Sequence, residues 1–300
     1  MAPLGRTICL PLLFRLWRPA AAGERQASRV DLAHELIALI AARFAGRRIE
    51  LCADSYYANR KLRDLPAGVS ACVRLRSNAA FWEQAGEPAE RRRGRPRVRG
   101  PRLGQVRELA ARDDLGWRPL RMRRAGAERE LEFVAFDCIW YPVLGTRAVR
   151  LLIARERGRP GAPPLALLLS DRSLEPAAIL ALYAERWSIE VAFAEAKGQL
   201  GVGEARSRVA AAVERTVPFG FICRALVVVW YALNGDARAD VERRLLIAPW
   251  YRQKREPAFA DMLAALRREL IRAEFRARLA RGPTGQKIAA ASPLELGLVA

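Results

Sequence analysis

Four consecutive segments between Trp117 and Ser170 carry the hydrophobic patterns of β-strands, and they constrain the fold more than any other part of the chain. The segments read WRPLRMRR, ELEFVAFDCIWYPV, TRAVRLLIARE and LALLLS. The second shows the period-two alternation of a strand, and the last is a continuously apolar run of the kind found inside a sheet. Because helical patterns flank these segments on both sides, the sequence predicts an α/β protein.

The aromatic residues of these segments have two possible roles. Phe133, Phe136, Trp140 and Tyr141 could stack on nucleic-acid bases. Their position in alternating strands favours packing in the core instead. Trp187, which lies further along the chain, could likewise stack or pack, and we expect it to pack.

Another buried strand is predicted in RRIELCADSYY, where Ile49, Leu51 and Ala53 alternate with more polar neighbours. Asp54 stands where this strand gives way to a loop. The backbone holds a carboxylate at the carboxyl end of a strand in place, while the loop leaves it open to solvent. Asp54 is therefore a candidate ligand for Mg²⁺. The alternative is a residue that only caps the strand end.

A third pattern lies in the segment LALYAERWSIEVAFAEAKGQLG. Tyr183, Arg186, Glu190 and Lys197 follow one another at offsets of three, four and seven residues. On a single helix these offsets place the four side chains within an arc of about 60°. The helix would present a metal ligand between phosphate-binding groups, whereas ordinary surface ion pairs are the alternative. An apolar stripe runs beside that arc: Leu182, Ile189, Phe193 and Leu200.

The charge of the chain points to a polyanionic partner. The net charge is +20, and 48 of the 52 basic residues are arginine. Contacts of Lys and Arg with phosphate release counterions and give sequence-independent affinity for nucleic acids. The excess of arginine, together with much alanine and leucine, also fits a GC-rich genome. The net charge alone is therefore weak evidence for a nucleic-acid partner.

Residues 83–103 are predicted to form a basic linker that contacts DNA. Within it, Arg93-Gly94-Arg95-Pro96 is similar to a minor-groove hook, in which two guanidinium groups enter a narrow groove. Nonspecific phosphate contacts by Arg93, Arg95 and Arg97 are the simpler interpretation, and a solvated loop is the third.

Several classes of protein are disfavoured by the composition. The five cysteines are odd in number and scattered, and the chain has one histidine, His34, so neither a disulfide framework nor a zinc site is expected. ICLPLLFRLW at residues 8–17 is too short to span a bilayer, and we predict that it forms a buried strand. Residues 226–233 suit a core helix. We therefore expect a cytoplasmic protein without a membrane segment.

The spacing of Tyr183, Arg186, Glu190 and Lys197 resembles the Y-R-E-K signature of bacterial insertion-sequence DDE transposases, the cut-and-paste class with an RNase H-like domain. IELCADSYY at residues 49–57 is similar to the strand that carries the second Asp of that family. RRRGRPRVRGPRL resembles its basic connector, and PWYRQKREPAFADMLAALRREL resembles its helical tail.

The resemblance implies an RNase H-like mixed sheet flanked by helices, with a β-rich insertion and a helical C-terminal tail. It divides the chain into four parts. These are a first core part at 1–70, the insertion at 71–164 with its basic linker, a second core part at 165–235 with the signature helix, and a basic helical region at 236–300.

The resemblance also implies a chemistry. Two Mg²⁺ ions, with Mn²⁺ as a substitute, would be held by three carboxylates, two of them Asp54 and Glu190. Such a pair of ions stabilises the attacking and leaving oxygens when a DNA strand is cut and joined. Tyr183, Arg186 and Lys197 would steady phosphates around the scissile bond. The partner would be double-stranded DNA at transposon ends and target, bound by a possible homodimer.

One departure from the family bears on activity. The first Asp of the triad is expected on a strand before ICLPLLFRLW, and no acidic residue before Asp54 stands in a matching context. We expect the chain alone to lack a metal ligand and its central strand, and to cleave DNA weakly or not at all. A noncatalytic DNA-binding relic, or an inhibitor of full-length transposase, is the alternative. Three explanations of the missing Asp stay open: a mis-called start codon, decay of the element, and a frameshift. The sequence also leaves open the transposon-end sequence, the target preference and the oligomeric state. The acidic residues in question are Glu24, Asp31, Glu35 and Glu50.

Overall fold

A computed structural model describes residues 6–19, 27–86, 97–124, 127–156, 159, 162–206 and 208–280. The chain divides into two compact units. Residues 15–187 form one, here called the sheet unit, and residues 1–14 with 188–300 form the other, the helical unit. The predicted division into four parts stays a prediction.

The sheet unit is built on one open, mixed sheet of eight strands. The order is β1-β2-β8-β7-β6-β3-β4, and β5 pairs with β6. β1 and β2 run parallel, whereas the other pairs are antiparallel. The predicted α/β class is confirmed, and the arrangement is consistent with an RNase H-like transposase fold. The strands are β1 Ile49–Ala53, β2 Val69–Arg74, β3 Ala80–Trp82, β4 Arg102–Gln105, β5 Arg118–Arg124, β6 Ala127–Ile139, β7 Ala148–Glu156 and β8 Leu165–Leu169.

Short helices flank this sheet. Helix α1 begins at Arg29, because Ser28 is the N-cap and forms a capping box with Asp31. The 3₁₀ helix Arg60–Asp64, here called η1, follows the loop after β1. The α-helices of the sheet unit are α1 Arg29–Arg43, α2 Val106–Ala110, α3 Tyr141–Leu144 and α4 Pro176–Glu185.

The sheet is buried on both faces, which explains the continuously apolar run of β8. Leu151 and Ile153 of β7 pack with one cluster that includes Phe81 and Val106. Their neighbour Leu152 points to the other cluster, which contains residues of α4. Period-two alternation therefore sends side chains of one strand into two cores.

The aromatic residues of β6 and of the turn that follows it agree with the core interpretation. Phe133 and Trp140 are buried, and Phe136 packs against the core as a half-buried residue. Tyr141 is half-buried at the first position of α3.

The helical unit contains four described helices, α5 Ser188–Leu200, α6 Ala210–Asn234, α7 Ala237–Ile247 and α8 Phe259–Ala280. Helix α6 is long and apolar enough to cross a membrane by length and composition. It also carries Arg224, which is 1% exposed and bonds to Glu195 of α5. The predicted core helix at residues 226–233 is confirmed for one face, where Tyr231 is 1% exposed, whereas Leu233 on another face is 78% exposed.

The strand predicted for residues 8–17 is wrong. This segment has no regular secondary structure, and Leu12 is 62% exposed. Individual side chains of the segment pack against the helical unit instead: the ring of Phe14 stacks on Phe221 of α6, with 5.3 Å between the ring centroids. Pro11 contributes to this outcome, because a proline cannot donate to a strand ladder.

Candidate active site

Asp54 stands at the carboxyl end of β1, where the sequence predicts it. Its side chain is exposed, and Oδ1 accepts a hydrogen bond from the Tyr56 backbone N–H at 2.9 Å. The Asp54 carbonyl accepts a second bond from the Tyr57 N–H at 3.2 Å. One carboxylate oxygen thus organises the turn, as in the strand-end alternative, and this bond also fixes the carboxylate in place.

The parallel pairing of β1 and β2 brings an arginine to the same edge. Ala53 is opposite Val73, so Asp54 and Arg74 follow at the next position on neighbouring strands. Parallel strands end at a common edge, and Arg74 is exposed there. Sequence reasoning missed Arg74, since only the register reveals this neighbour.

Tyr183 of α4 faces this edge from a buried position, 9% exposed. Burial raises the pKa of the Tyr183 phenol, while Arg186 opposes this shift as a charge and hydrogen-bond partner. The charges of Arg74 and Asp54 act on the same pKa in opposite directions. The guanidinium carbon of Arg186 lies 5.6 Å from the centre of the Tyr183 ring. The structure therefore brings Asp54, Arg74, Tyr183 and Arg186 together at one site.

A cysteine contact helps to seat α4 on the sheet at this point. The Cys52 thiol of β1 donates to the Leu182 carbonyl at 4.0 Å. Leu182 precedes Tyr183, and Cys52 is two positions before Asp54. The contact fixes the end of α4 relative to the strand that carries the carboxylate.

The single signature helix predicted from the spacing is wrong, because two helices occupy the segment. Helix α4 ends at Glu185 and α5 begins at Ser188. The backbone N–H groups of Arg186 and Trp187 bond three residues back, to Tyr183 and Ala184, each at 3.2 Å. Such bonds tighten the last turn and end an α-helix. Trp187, which was expected to pack, is 61% exposed at this break.

Glu190 and Lys197 share α5, in its first and last turns respectively. Glu190 is half-buried and Lys197 is exposed. The negative charge of Glu190 near the helix N-terminus and the positive charge of Lys197 near the C-terminus both interact favourably with the helix dipole. Helix α5 ends before Gly201, and the φ of +65° at that glycine is the left-handed conformation that closes helices.

The two halves of the signature belong to different units. Tyr183 and Arg186 are in the sheet unit with Asp54, and Glu190 and Lys197 are in the helical unit. The expectation that Asp54 and Glu190 approach closely enough to share a divalent ion stays a prediction.

The donor groups at this sheet edge meet the requirements of Mg²⁺ in part. Asp54 suits a hard cation, because it offers an exposed, fixed carboxylate at a strand end. Across the described part of the chain, no three or more His, Cys, Asp or Glu side chains group closely enough to hold an ion. These residues supply single carboxylate ligands rather than a complete cage.

The linker residues fall partly outside the described chain. Arg93 and Arg95 are among the residues that are not described, whereas Arg97 is described and exposed. Two positions further on, the Arg99 guanidinium lies between the rings of Trp82 and Tyr141, 4.9 Å from each centre. Such stacking anchors the end of the linker on the sheet unit.

A family model matches most of the chain, including the segments that carry the candidate site residues. The family model named transposase DDE domain matches residues 20–226. That range contains Asp54 and the whole Tyr183 to Lys197 segment. Among curated proteins, none matches the chain.

Proposed function

Because the chain belongs to the transposase DDE domain family, we propose that it is the DNA transposase of an insertion sequence, which uses Mg²⁺ to cut DNA at transposon ends and join it to a target. The observation that carries the proposal is the site at the carboxyl end of β1. There an exposed carboxylate, Asp54, shares one edge with Arg74, Tyr183 and Arg186. A carboxylate for a metal beside cations for phosphate is the set of groups that phosphodiester chemistry needs.

In this proposal Asp54 and Glu190 hold Mg²⁺, for which Mn²⁺ can substitute. When bound, the ions polarise the scissile phosphate and stabilise the attacking and leaving oxygens. Arg186 and Lys197 hold phosphate oxygens by charge, and Tyr183 orients Arg186 through its phenol. Arg93, Arg95 and Arg97 add phosphate contacts along the duplex. The protein acts in the cytoplasm on double-stranded DNA, as a possible homodimer and without a membrane partner.

We further propose that residues 1–300 alone cleave weakly. No acidic side chain before Asp54 stands in the context of the first family Asp. Loss of one bridging carboxylate leaves transition-state charge uncompensated by several kcal/mol, or about a few powers of ten in rate. The same observation favours a second candidate, a noncatalytic DNA-binding relative that occupies transposon ends or inhibits full-length transposase.

The test is strand nicking of a duplex that carries the terminal inverted repeats flanking the gene, in Mg²⁺ or Mn²⁺. We expect little nicking by residues 1–300, and nicking by a version extended upstream to include a strand with Asp. Asp54→Asn and Glu190→Gln should abolish the activity of the extended protein. Activity that survives both substitutions would refute the site assignment.

Nicking by residues 1–300 that Glu190→Ala removes would have a different meaning. It would show that another residue, such as Asp31, completes the metal site. If neither form nicks DNA but both bind the repeats, the noncatalytic candidate stands.

A further inference from the structure

The positive charge of the sheet unit is unevenly compensated. On strands β5 to β7, several arginines pair with carboxylates of a neighbouring strand or loop. Arg121 pairs with Glu130 at 3.2 Å, and Arg129 pairs with Glu156 at 3.0 Å. Further pairs join Arg150 and Arg172 to Asp137, and Arg155 to Glu132 and Asp113. Because a paired guanidinium is partly neutralised, this surface attracts a polyanion weakly.

The 3₁₀ helix η1 sorts its side chains into three directions. At three residues per turn, positions three apart lie above one another. Leu62 points into the core at 4% exposure, and Lys61 pairs with Asp31 of α1. Arg60 and Arg63 share the third direction, toward α3, where their Nε atoms donate to the carbonyls of residues 142 and 143.

The carbonyl groups of helix α3 hold the side chains of Arg60 and Arg63 in this direction. The carbonyls of the last turn of a helix lack intrahelical donors and carry partial negative charge. Arg60 and Arg63 donate to these carbonyls through Nε, while both side chains stay exposed. Among the described residues, no carboxylate forms an ion pair with either guanidinium. Their stems are fixed, and their charge is not neutralised.

A third guanidinium meets the same short helix. Arg99 is exposed and stacks between Trp82 and Tyr141, and Tyr141 is the first residue of α3. We call Arg60, Arg63 and Arg99 the α3 arginine cluster. In the described part of the chain, no carboxylate pairs with any of the three.

We propose that the α3 arginine cluster binds the phosphodiester backbone of duplex DNA next to the Asp54 edge. The proposal rests on the proposed function, which makes DNA the partner. A guanidinium matches two phosphate oxygens, and one that is already held in place loses less side-chain entropy on binding. Arg60 follows Asp54 by six residues, a span of at most about 20 Å of extended chain. A duplex held by the cluster therefore lies within about one helical turn, 34 Å, of the candidate metal ligand.

The experiment compares two double variants of residues 1–300 that remove the same formal charge. Arg60→Gln with Arg63→Gln changes the cluster, and Arg121→Gln with Arg129→Gln changes paired arginines. Binding of a short labelled duplex of arbitrary sequence is measured over a range of KCl concentrations. We expect the cluster variant to lower the slope of log K against log salt by about 1.8, since each phosphate contact contributes about 0.9. The control should lower it by less than about 0.5.

Equal changes in the two variants, or an unchanged slope in the cluster variant, would overturn the proposal while leaving DNA binding by the protein intact. No binding by the unmodified chain would overturn both proposals. Tighter binding to RNA duplexes or anionic vesicles than to DNA would also overturn the cluster assignment.

The double variant Arg60→Lys with Arg63→Lys is the control that distinguishes lost phosphate contacts from misfolding. It keeps the charge, and we expect it to retain the salt slope with reduced affinity, because lysine binds phosphate as a point charge.

Discussion

The buried ion pair between Arg224 and Glu195 is expected to be the most sensitive polar contact of the helical unit. Arg224 of α6 is 1% exposed, and its Nε and Nη2 atoms donate to Glu195 Oε2 at 3.0 and 2.6 Å. Nη1 donates to the Cys9 carbonyl at 2.7 Å. One side chain therefore joins α6, the candidate catalytic helix α5 and the N-terminal segment.

Arg224→Met keeps most of the side-chain volume and removes the charge. Glu195, with 17% of its side chain exposed, would keep Arg6 at 3.9 Å as its one ion-pair partner among the described residues. Removing one member of a buried pair costs about 3 to 5 kcal/mol. We expect a loss of about 3 kcal/mol, because Glu195 is partly solvated and Arg6 is near.

Urea unfolding followed by the ¹⁹F resonance of 5-fluorotryptophan at Trp230 measures this loss locally. Glu195→Met combined with Arg224→Met should recover at least half of it, because no charge is then left unpaired. The control is Arg238→Gln in the surface pair with Glu242, where we expect no shift of the midpoint. A loss below about 1 kcal/mol, or a double variant less stable than the single one, would refute the reasoning.

Two further predictions concern Tyr183 and Cys138. Tyr183→Phe keeps the buried ring and loses only the contact of the phenol with Arg186, so it should cost about 1 kcal/mol, against about 3 to 5 kcal/mol for Tyr183→Ala. Equal losses in thermal unfolding would show that the ring does not pack as described. Burial raises the pKa of the Cys138 thiol to about 12, so native Cys138 should resist iodoacetamide at pH 8 and react only after unfolding, as mass spectrometry would show. Because the protonated thiol is favoured in the fold, the stability that it contributes is complete below the unfolded pKa of about 8.5 and is lost as pH rises toward 12; rapid native alkylation would contradict this.

Some outcomes depended on short-range rules that the sequence carries by itself. The strands β1 and β5 to β8, and the turn at Asp54, follow from alternation or from apolar runs bounded by turn residues. The last third of helix α6 was predicted from the apolar run at residues 226–233. The spacing of Tyr183, Arg186, Glu190 and Lys197 identified the family because spacing is a property of the chain and does not depend on the helix being continuous.

Other outcomes were decided only by tertiary structure. The four signature residues do not share one helix, because the backbone hydrogen bonds at Arg186 and Trp187 tighten the last turn of α4 and end it. The segment contains no Gly or Pro from which this break could have been predicted. Residues 8–17 have the composition of a buried strand, yet no described strand pairs with them and they pack by single side chains. Arg74 is placed at the same sheet edge as Asp54 by the register of β1 with β2. Pairing, register and the choice of which arginines meet carboxylates are set by residues distant in sequence, and local patterns do not contain that information.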